Sequence, residues 1–561
     1  MYSIVARIPG LEWISVPSTS NNTASYRTTI IPSLNTILSI IPPKSLIYNP
    51  PAAFLPVLCS ALVKSAHIIM AKSKKEYGMG NFMAEHFTGW LGWCNSLLSR
   101  FAWGPATLLL LAAAGLIFSV GTGFFQLRHL PLWWRSTLGA SLSGQEKGKQ
   151  PGTGGITGFQ SACTALAATL GTGNIAGVAT AIAAGGPGAV FWMWISAFFG
   201  TMTGYAENLL AGLYRGKNTK GEPIGGAMFY IEQGLGCRWL ALLFSFFCIL
   251  GSLGMGDMAQ ANSIASGLQD SFHIPPLFTG LVVAGAVGFT MLGGIRRVGQ
   301  ITERLVPFMA IGYTAAAVCV ILVNWQRIPE VLHSILQQAF CWKSGLGGLT
   351  GYSVKQALQV GVARGVSSNE AGLGSSVMAN SAAGSPPVVQ GMWGIFEVAV
   401  DTLLMCTLTA LAILCSGVYD PVVYSAALGT ETFAGLPNGA ALTADAFRSV
   451  LGPGGGMLIA ISLVLFAFST LLGWSYYGER AVEYLFGSGA IVPYKLLYLA
   501  CIVIGCVTRL DLVWQISDTF NGLMVLPNLL AVLWLSPQIF QETCRFFHSK
   551  QRPDCTQSNP V

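Results

Sequence analysis

Long apolar stretches with few charges recur along most of the chain and restrict its fold more than any other feature. We identify eleven of them between residues 104 and 538. Each has roughly the 20 residues that cross a bilayer core of about 30 Å. Only 9% of the 561 residues are charged, against about 25% in soluble domains. The chain cannot cover a water-facing surface, and the sequence predicts an all-α polytopic membrane protein.

Basic residues between these stretches predict the orientation of the chain. They cluster after the odd-numbered spans, and such clusters mark the cytoplasmic side of a membrane. We therefore expect a multi-pass protein of the plasma membrane (the inner membrane in a Gram-negative cell) with a cytoplasmic C-terminus. The basic residues behind the net charge of +7 lie in these short clusters between apolar stretches. The expected partner is therefore the lipid bilayer and not nucleic acid. The predicted spans are 104–124, 156–184, 187–213, 236–266, 276–293, 301–324, 355–383, 387–416, 455–479, 492–509 and 514–538.

Ten of the spans divide into two halves of five, and each half opens with a glycine-interrupted span. The interruptions are GTGN at Gly171–Asn174 and SSNEAGLGSS at Ser367–Ser376. An odd number of spans per half gives the halves opposite topologies, and paired glycine-broken spans are typical of a transporter binding site. Glycine-based close packing of helices is the alternative. Asn174, Asn369 and Glu370 beside the glycines favour broken helices, because packing does not require buried polar groups.

The predicted fold is thus a 5+5 inverted repeat preceded by one extra transmembrane helix. Residues before the first span are rich in Ser, Thr and Pro, and we expect a mobile extension there or sequence upstream of the true start codon. The predicted divisions are an N-terminal extension 1–85, the extra helix with a cytoplasmic linker 86–150, the first five-helix repeat 151–324, an extracellular loop 325–354, the second repeat 355–538 and a cytoplasmic tail 539–561.

Several motifs resemble one transporter family, and they occur in order over about residues 90–545. The segment GGPGAVFWMWISAFFG at Gly185–Gly200 resembles the signature of the sodium:alanine symporter family, the alanine or glycine:cation symporters. The resemblance implies a leucine-transporter-like fold with an extra first helix. It also implies uptake of alanine or glycine with a cation, usually Na⁺, as coupling ion and without another cofactor. The other matching segments are Thr164–Gly188, Gly225–Gly236, Met258–Ala265, Arg364–Ser375 and Phe466–Ala481.

An amino-acid substrate needs donors for its carboxylate and acceptors for its ammonium. Backbone N–H groups at Thr172, Gly173 and Asn174 suit the carboxylate, since helix N-termini attract anions and glycine permits close approach. The second interruption would face the ammonium with Ser368, Asn369 and Gly372. Glu370 either receives the ammonium or braces the unwound backbone.

The register of the resemblance also assigns a sodium site and two further substrate contacts. Na⁺ is a hard cation that prefers oxygen ligands. The resemblance points to the carbonyl groups of Ala167 and Leu170 and to the hydroxyl groups of Ser469 and Thr470. Ordinary bonding of these hydroxyls to the preceding helical turn is the alternative. Gln260 and Trp474 are the further contacts: Gln260 lies in a family motif, and Trp474 would wall the pocket.

Two acids within predicted spans are candidates for ion or proton coupling, because intramembrane ionisable groups are costly and usually functional. Asp257 stands where the family pattern more often has an amide, which leaves open a proton contribution or an altered ion site. Asp401 either binds an ion or forms a hydrogen bond to a neighbouring helix inside the bundle. Arg364 is a candidate counter-charge.

The sequence favours a secondary active transporter, a Na⁺-coupled symporter of alanine or glycine working by alternating access. A proton-coupled or passive transporter or channel is the alternative, although no filter motif repeats along the chain. The chain has no HExxH, no serine–base constellation and no phosphate loop, so we do not expect an enzyme.

Overall fold

The computed structural model describes residues 13–16, 27–30, 79–143, 156–218, 221, 223–340, 354–428, 430–508 and 511–551. These residues belong to two units, Met1–Trp90 and Leu91–Val561. In the first unit, strands β1 (Trp13–Val16) and β2 (Arg27–Ile30) pair antiparallel with Trp13 opposite Ile30. The remainder of the predicted extension before Met79 lies outside the described residues, as do residues 552–561 of the predicted tail.

The rest of the described chain is almost entirely helical. Its first helices are α1 Met79–Ala102, α2 Pro105–Gly121, α3 Phe125–Arg128, α4 Leu130–Trp134, α5 Ala140–Leu142, α6 Gly158–Thr169, α7 Val178–Gly185, α8 Gly188–Leu213, α9 Ala227–Gln233, α10 Arg238–Leu253, α11 Ala259–Phe272, α12 Pro276–Met291, α13 Gly294–Val323 and α14 Ile328–Ala339. A short hairpin, β3 (Gly216–Lys217) with β4 (Pro223–Ile224), follows α8.

The helices of the second half begin after residue 353. They are α15 Val354–Asn369, α16 Val377–Ser381, α17 Pro387–Val398, α18 Thr407–Ser416, α19 Pro421–Ala427, α20 Ala440–Leu451, α21 Pro453–Phe486, α22 Ile491–Val507, α23 Asp511–Trp534 and α24 Ser536–Gln551. Tighter 3₁₀ turns lie at Trp325–Arg327, Glu431–Gly435 and Ser488–Ala490, and wider π-helical turns at Arg135–Gly139, Gly173–Gly177, Gly254–Met258 and Ala399–Cys406.

Seven helical runs among the described residues are long and apolar enough to cross a membrane, or eight if a broken pair counts as one span. The polytopic helical class is therefore confirmed, whereas the predicted eleven spans are not. Helix α8 covers the predicted span 187–213 from Gly188 onward but is not one of the seven apolar runs. Helix α12 is apolar but short, and the predicted span 355–383 is interrupted.

The first broken helix is the pair α6 and α7. Helix α6 ends at Thr169, the π-helical turn Gly173–Gly177 begins after residue 172, and the two halves meet at an angle of 50°. A capping box at Thr157 and Gln160 fixes the start of α6, because each side chain bonds the other residue's backbone N–H. The interruption falls on the GTGN segment, as the glycines predicted.

The second broken helix is the pair α15 and α16, separated by residues 370–376. Three residues there have left-handed backbone conformations: Glu370 with φ 58°, Gly372 with φ 96° and Gly374 with φ 74°. Glycine adopts such angles readily, whereas a residue with a Cβ atom is strained there. This glycine run, too, interrupts a helix where the sequence predicted.

Helix α8 packs closely against α15 and α17, and small residues make that approach possible. A Cβ atom on Gly394 would lie 2.4 Å from the carbonyl oxygen of Gly204, a separation that excludes any side chain. Such small-residue contacts let membrane helices approach closely. They place the buried acid of α8, Glu207, beside the second broken helix.

Candidate functional site

The end of α6 meets α21 at a buried group of four oxygen atoms, here called the hydroxyl–carbonyl cluster. It consists of the carbonyl groups of Ala167 and Leu170 and the hydroxyl groups of Ser469 and Thr470. The Thr470 hydroxyl donates to the Ala167 carbonyl at 3.2 Å, and the Ser469 hydroxyl is 3.5 Å from the Leu170 carbonyl. Both hydroxyls also bond the Phe466 carbonyl of the preceding turn. The geometry brings all four predicted residues together, and their binding of Na⁺ stays a prediction.

Gly171 allows this approach. A Cβ atom at that position would lie 2.5 Å from the Thr470 hydroxyl oxygen, so any larger residue would separate α6 from α21. Its backbone N–H donates to the side-chain oxygen of Asn174 at 3.0 Å. The first interruption is thus closed by a polar side chain three positions further along.

Asp401 lies between the two broken helices and accepts hydrogen bonds from both. The Asn174 amide donates to one carboxylate oxygen at 2.7 Å, and the Ser368 hydroxyl donates to the other at 2.9 Å. The side chain of Asp401 is fully buried. The two interruptions also touch directly, because a Cβ atom on Gly173 would lie 3.6 Å from the Ser368 Cα atom. Asp401 and its two partners, here called the Asp401 network, therefore join the first members of the two halves.

The neighbouring threonine extends this network into the second interruption. Thr402 donates to the Ser368-bound oxygen of Asp401 at 2.7 Å and accepts from the Asn369 amide at 3.0 Å. The Asn369 oxygen in turn accepts the backbone N–H of Ala371 at 3.0 Å. The π-helical turn Ala399–Cys406 presents Asp401 and Thr402 together to the broken helices.

Glu207 of α8 holds the second interruption from the opposite side. The backbone N–H of Gly372 lies 3.1 and 3.2 Å from its two carboxylate oxygens. The Asn528 amide of α23 donates both to Glu207 and to the Gly372 carbonyl, the latter at 2.9 Å. Tyr230 donates to the oxygen of Asn528. Gly372, predicted to face an ammonium group, therefore has both backbone groups bound by protein.

Glu370 is buried and its two oxygens have separate donors. The Ser375 hydroxyl donates to one at 2.5 Å, and the Trp474 indole N–H donates to the other at 3.0 Å. Of the two predicted roles, this geometry favours bracing of the unwound backbone. Trp474 is itself only 2% exposed and packs against Gly256.

Three of the predicted residues keep buried polar atoms without a hydrogen-bond partner within the described chain. They are the Thr172 hydroxyl, the Gln260 carbonyl oxygen and both carboxylate oxygens of Asp257. The Gln260 amide donates to the Met255 carbonyl at 3.1 Å. Buried polar atoms of native proteins are nearly always paired, so the roles predicted for these three residues as ligand contacts or coupling groups stay predictions that this geometry allows.

Sequence reasoning missed Glu207, Asn528 and Tyr230. A signal for Glu207 existed, since it is a lone acid within the predicted span 187–213. Its partner follows more than 300 residues later, which no local pattern reveals. Arg364, proposed as a counter-charge for the coupling acids, lies instead 3.8 Å from Asp518.

The donor set suits an alkali cation or a small zwitterion more than a transition metal. Among the described residues no group of three or more His, Cys, Asp or Glu could hold a metal ion. The cluster and the network offer carbonyl, hydroxyl, amide and carboxylate groups inside a helical membrane protein. Two broken helices that meet at such groups define a membrane transporter.

Comparison with known proteins identifies the family. The sodium:alanine symporter family matches residues 88–559. A Haemophilus influenzae protein named an uncharacterized transporter is 42% identical over 455 residues, 81% of this chain and 95% of its own length. The sodium/alanine symporter AgcS of Methanococcus maripaludis is 40% identical, over 80% and 96%. The probable sodium/glutamine symporter GlnT of Bacillus subtilis is 36% identical, over 80% and 88%.

The chain therefore belongs to the sodium:alanine symporter family. It is a multi-pass membrane protein and a Na⁺-coupled amino-acid symporter, not an enzyme.

Proposed function

We propose that the protein carries alanine or glycine into the cytoplasm together with Na⁺, by alternating access around the two broken helices. The observation that supports this most is the Asp401 network, in which one buried carboxylate binds Asn174 of the first interruption and Ser368 of the second. A substrate between the interruptions would meet polar groups from both halves. The relatives include a glutamine symporter by name, so the substrate is the first property to test.

The substrate carboxylate would lie against the first interruption, at the backbone N–H groups of Thr172, Gly173 and Asn174. The unpaired Thr172 hydroxyl adds a donor there. Ser368 and Asn369 would face the ammonium, and Glu370 and Gly372 would hold the backbone behind them. We place Gln260 and Trp474 at the pocket wall, where the unpaired Gln260 oxygen is free to accept from the substrate.

Sodium would bind in the hydroxyl–carbonyl cluster. The four oxygens are uncharged and buried, and hard cations take such ligands. The cluster lies one turn before the carboxylate-binding N–H groups, so an ion there would order the segment that also binds substrate. Each ligand would then raise the affinity for the other, which is the reciprocal linkage that symport requires. Asp401 would tie the two interruptions together in the loaded state.

The architecture proposed for this cycle is the leucine-transporter-like 5+5 repeat with eleven spans. The repeats are 151–324 and 355–538, and the loop 325–354 is extracellular. The C-terminus is cytoplasmic and the membrane is the plasma membrane. The two interrupted helices at the first position of each half support this arrangement.

Uptake into proteoliposomes tests the proposal. Labelled alanine should accumulate under an inward Na⁺ gradient, glycine should compete, and glutamine should compete poorly. Accumulation of glutamine in preference to alanine would show that the substrate is glutamine. Uptake that does not depend on Na⁺ but follows a pH step would show that the coupling ion is the proton. Absence of counterflow exchange would indicate a channel.

Changing Thr470 to Val tests the sodium site, because the change removes a hydroxyl and keeps the shape of the side chain. We expect the Na⁺ concentration for half-maximal uptake to rise about tenfold or more, the equivalent of one lost bond of about 1.4 kcal/mol. Ser469→Ala should raise the same Na⁺ concentration. The matched control, Ser475→Ala, should leave it unchanged. Ser475 bonds only the preceding turn, at 2.8 Å like Ser469. An unchanged sodium dependence in Thr470→Val and Ser469→Ala would remove this site.

A further inference from the structure

Asp257 is an isolated acid inside the protein. It lies in the π-helical turn Gly254–Met258 between α10 and α11, is fully buried, and has neither oxygen hydrogen-bonded within the described chain. An ionised carboxylate without a partner in an apolar interior is strongly unfavourable. Asp257 must therefore be neutralised by a cation or by a proton.

Among the residues that the structure describes, the side chains around Asp257 supply no positive charge. The titratable groups that face it are Tyr494, Tyr498, Cys501 and Cys506, all on α22. The turn also packs against α10, α11, α21 and α23. No ion pair of the described residues includes Asp257.

Charged groups on the other packed helices are engaged elsewhere. On α21, Glu479 pairs with Arg480 and Lys495, and on α23, Asp518 pairs with Arg364. Arg238 at the start of α10 pairs with Glu232, Cys248 on α10 lies near Glu370, and Asp270 of α11 is exposed.

These surroundings suit a proton better than Na⁺. A hard cation needs several oxygen ligands, whereas α22 offers two thiols and two phenols. The Tyr498 hydroxyl already bonds the carbonyls of Gly256 and Leu471, at 3.1 and 2.9 Å. A proton needs no such set of ligands, because it bonds to one of the two unpaired oxygens of Asp257 itself.

The turn that carries Asp257 also contacts the second broken helix through one side chain. A Cβ atom on Gly256 would lie 2.4 Å from the side chain of Trp474. Trp474 in turn donates to Glu370 at 3.0 Å. A change of charge on Asp257 that shifts the turn is therefore transmitted to the residues that brace the proposed substrate site.

We propose that Asp257 carries one proton per transport cycle, in addition to Na⁺. The carboxylate takes a proton from the extracellular water when the amino acid binds and releases it to the cytoplasm, and no other bond changes. This inference rests on the proposed symport and adds a second coupling ion to it.

The experiment measures alanine and proton movements in proteoliposomes of the full chain. At a fixed Na⁺ gradient and clamped membrane potential, one unit of inward pH gradient should raise the steady-state alanine ratio about tenfold. Alanine should also acidify the lumen, as read by an enclosed pH dye. In Asp257→Asn, a neutral side chain of the same shape, Na⁺-driven uptake should persist while both proton effects disappear. Asp270→Asn, on the exposed end of the same span, should keep both.

Two results would overturn the proton role. One is wild-type protein in which alanine moves no protons under any Na⁺ condition, a result that does not depend on any variant folding. The other is Asp257→Asn with proton entry unchanged. Proton entry in wild type without Na⁺-driven uptake would instead reject the sodium coupling and leave the proton site standing.

Discussion

The two broken helices are interrupted in different ways. The first has no left-handed residue at its break, and it resumes as a π-helical turn after residues 170–172. The second has three left-handed residues between Glu370 and Gly374. Its backbone is held by the carboxylate of Glu207 and its side chains by those of Asp401 and Glu370.

The difference indicates a division of roles. The backbone before the first interruption is bound by neutral groups, because the carbonyls of Ala167 and Leu170 face hydroxyls that an ion can replace as partners. Only the Asn174 side chain of this interruption reaches a carboxylate, that of Asp401. The second interruption has its strained conformation fixed by the surrounding spans before any ligand arrives. We therefore expect the first to respond to ligands and the second to act as a preformed support.

Changing Asn174 to Ala should have the largest effect. Asn174 closes the first interruption and reaches Asp401, so one buried carboxylate oxygen loses its donor at about 1–3 kcal/mol. The Gly171 N–H loses one of its two acceptors and keeps the Thr169 carbonyl. We expect alanine uptake to fall about 100-fold or more, with folded protein retained as judged by size-exclusion chromatography. Asn262→Ala is the control, because that amide also bonds carbonyls of another helix but is remote from the network. Normal uptake by Asn174→Ala would show that transport does not need the hydrogen bonds from Asn174 to Gly171 and Asp401.

Changing Glu207 to Gln should have an intermediate effect. The Gly372 N–H and the Asn528 amide share one carboxylate oxygen, which the Gln oxygen can replace. The Gln amide then takes the place of the second oxygen, 3.2 Å from the Gly372 N–H, and sets one donor against another. Loss of one such bond costs about 1–3 kcal/mol, and we expect a lower unfolding temperature and uptake reduced about tenfold. If Glu207→Gln bound alanine and kept the unfolding temperature of the wild type, the supporting role of Glu207 would be contradicted. Glu303→Gln on α13 serves as the control.

Changing Glu370 to Gln should have the smallest effect and separates its two roles. A bracing residue survives the change, because the Gln oxygen can accept from Trp474 and its amide can donate to Ser375. Uptake should then change by less than about threefold, within the range of one weak hydrogen bond. If the carboxylate instead pairs with the ammonium of the substrate, the KM for alanine should rise about 100-fold, as for a lost buried charge pair. The KM for alanine, measured at saturating Na⁺, decides between them.

The sequence located both interruptions because their cause is local. Glycines within an apolar span lower its helical stability, and the polar residues beside them, Asn174 and Asn369, are visible in the same few positions. The structure interrupts α6 and α15 at these segments. The resemblance to the family likewise predicted that Ala167 and Thr470 lie together, because a family alignment reflects which residues are neighbours in the folded relatives.

The supports of the second interruption could not be predicted in this way. Glu207 and Asn528 meet Gly372 only after α8 and α23 have packed, and no spacing along the chain records that meeting. The number of spans stays a prediction for a related reason. Helix α8 coincides with a predicted span, but it carries buried polar residues such as Glu207 and Asn208.

Asp401 has a consequence for the movement of the two halves. Its two oxygens are bound by different broken helices, and only the oxygen bound by Ser368 has a second donor, Thr402. A motion that carries Asn174 away from Asp401 therefore strips the other oxygen of its donor. In an interior without water that loss is large, and the separated state needs a replacement donor at the same oxygen. Water entering with the opening cavity, or the ammonium of a substrate, can fill that position. The carboxylate thereby makes hydration of the cavity part of the opening step.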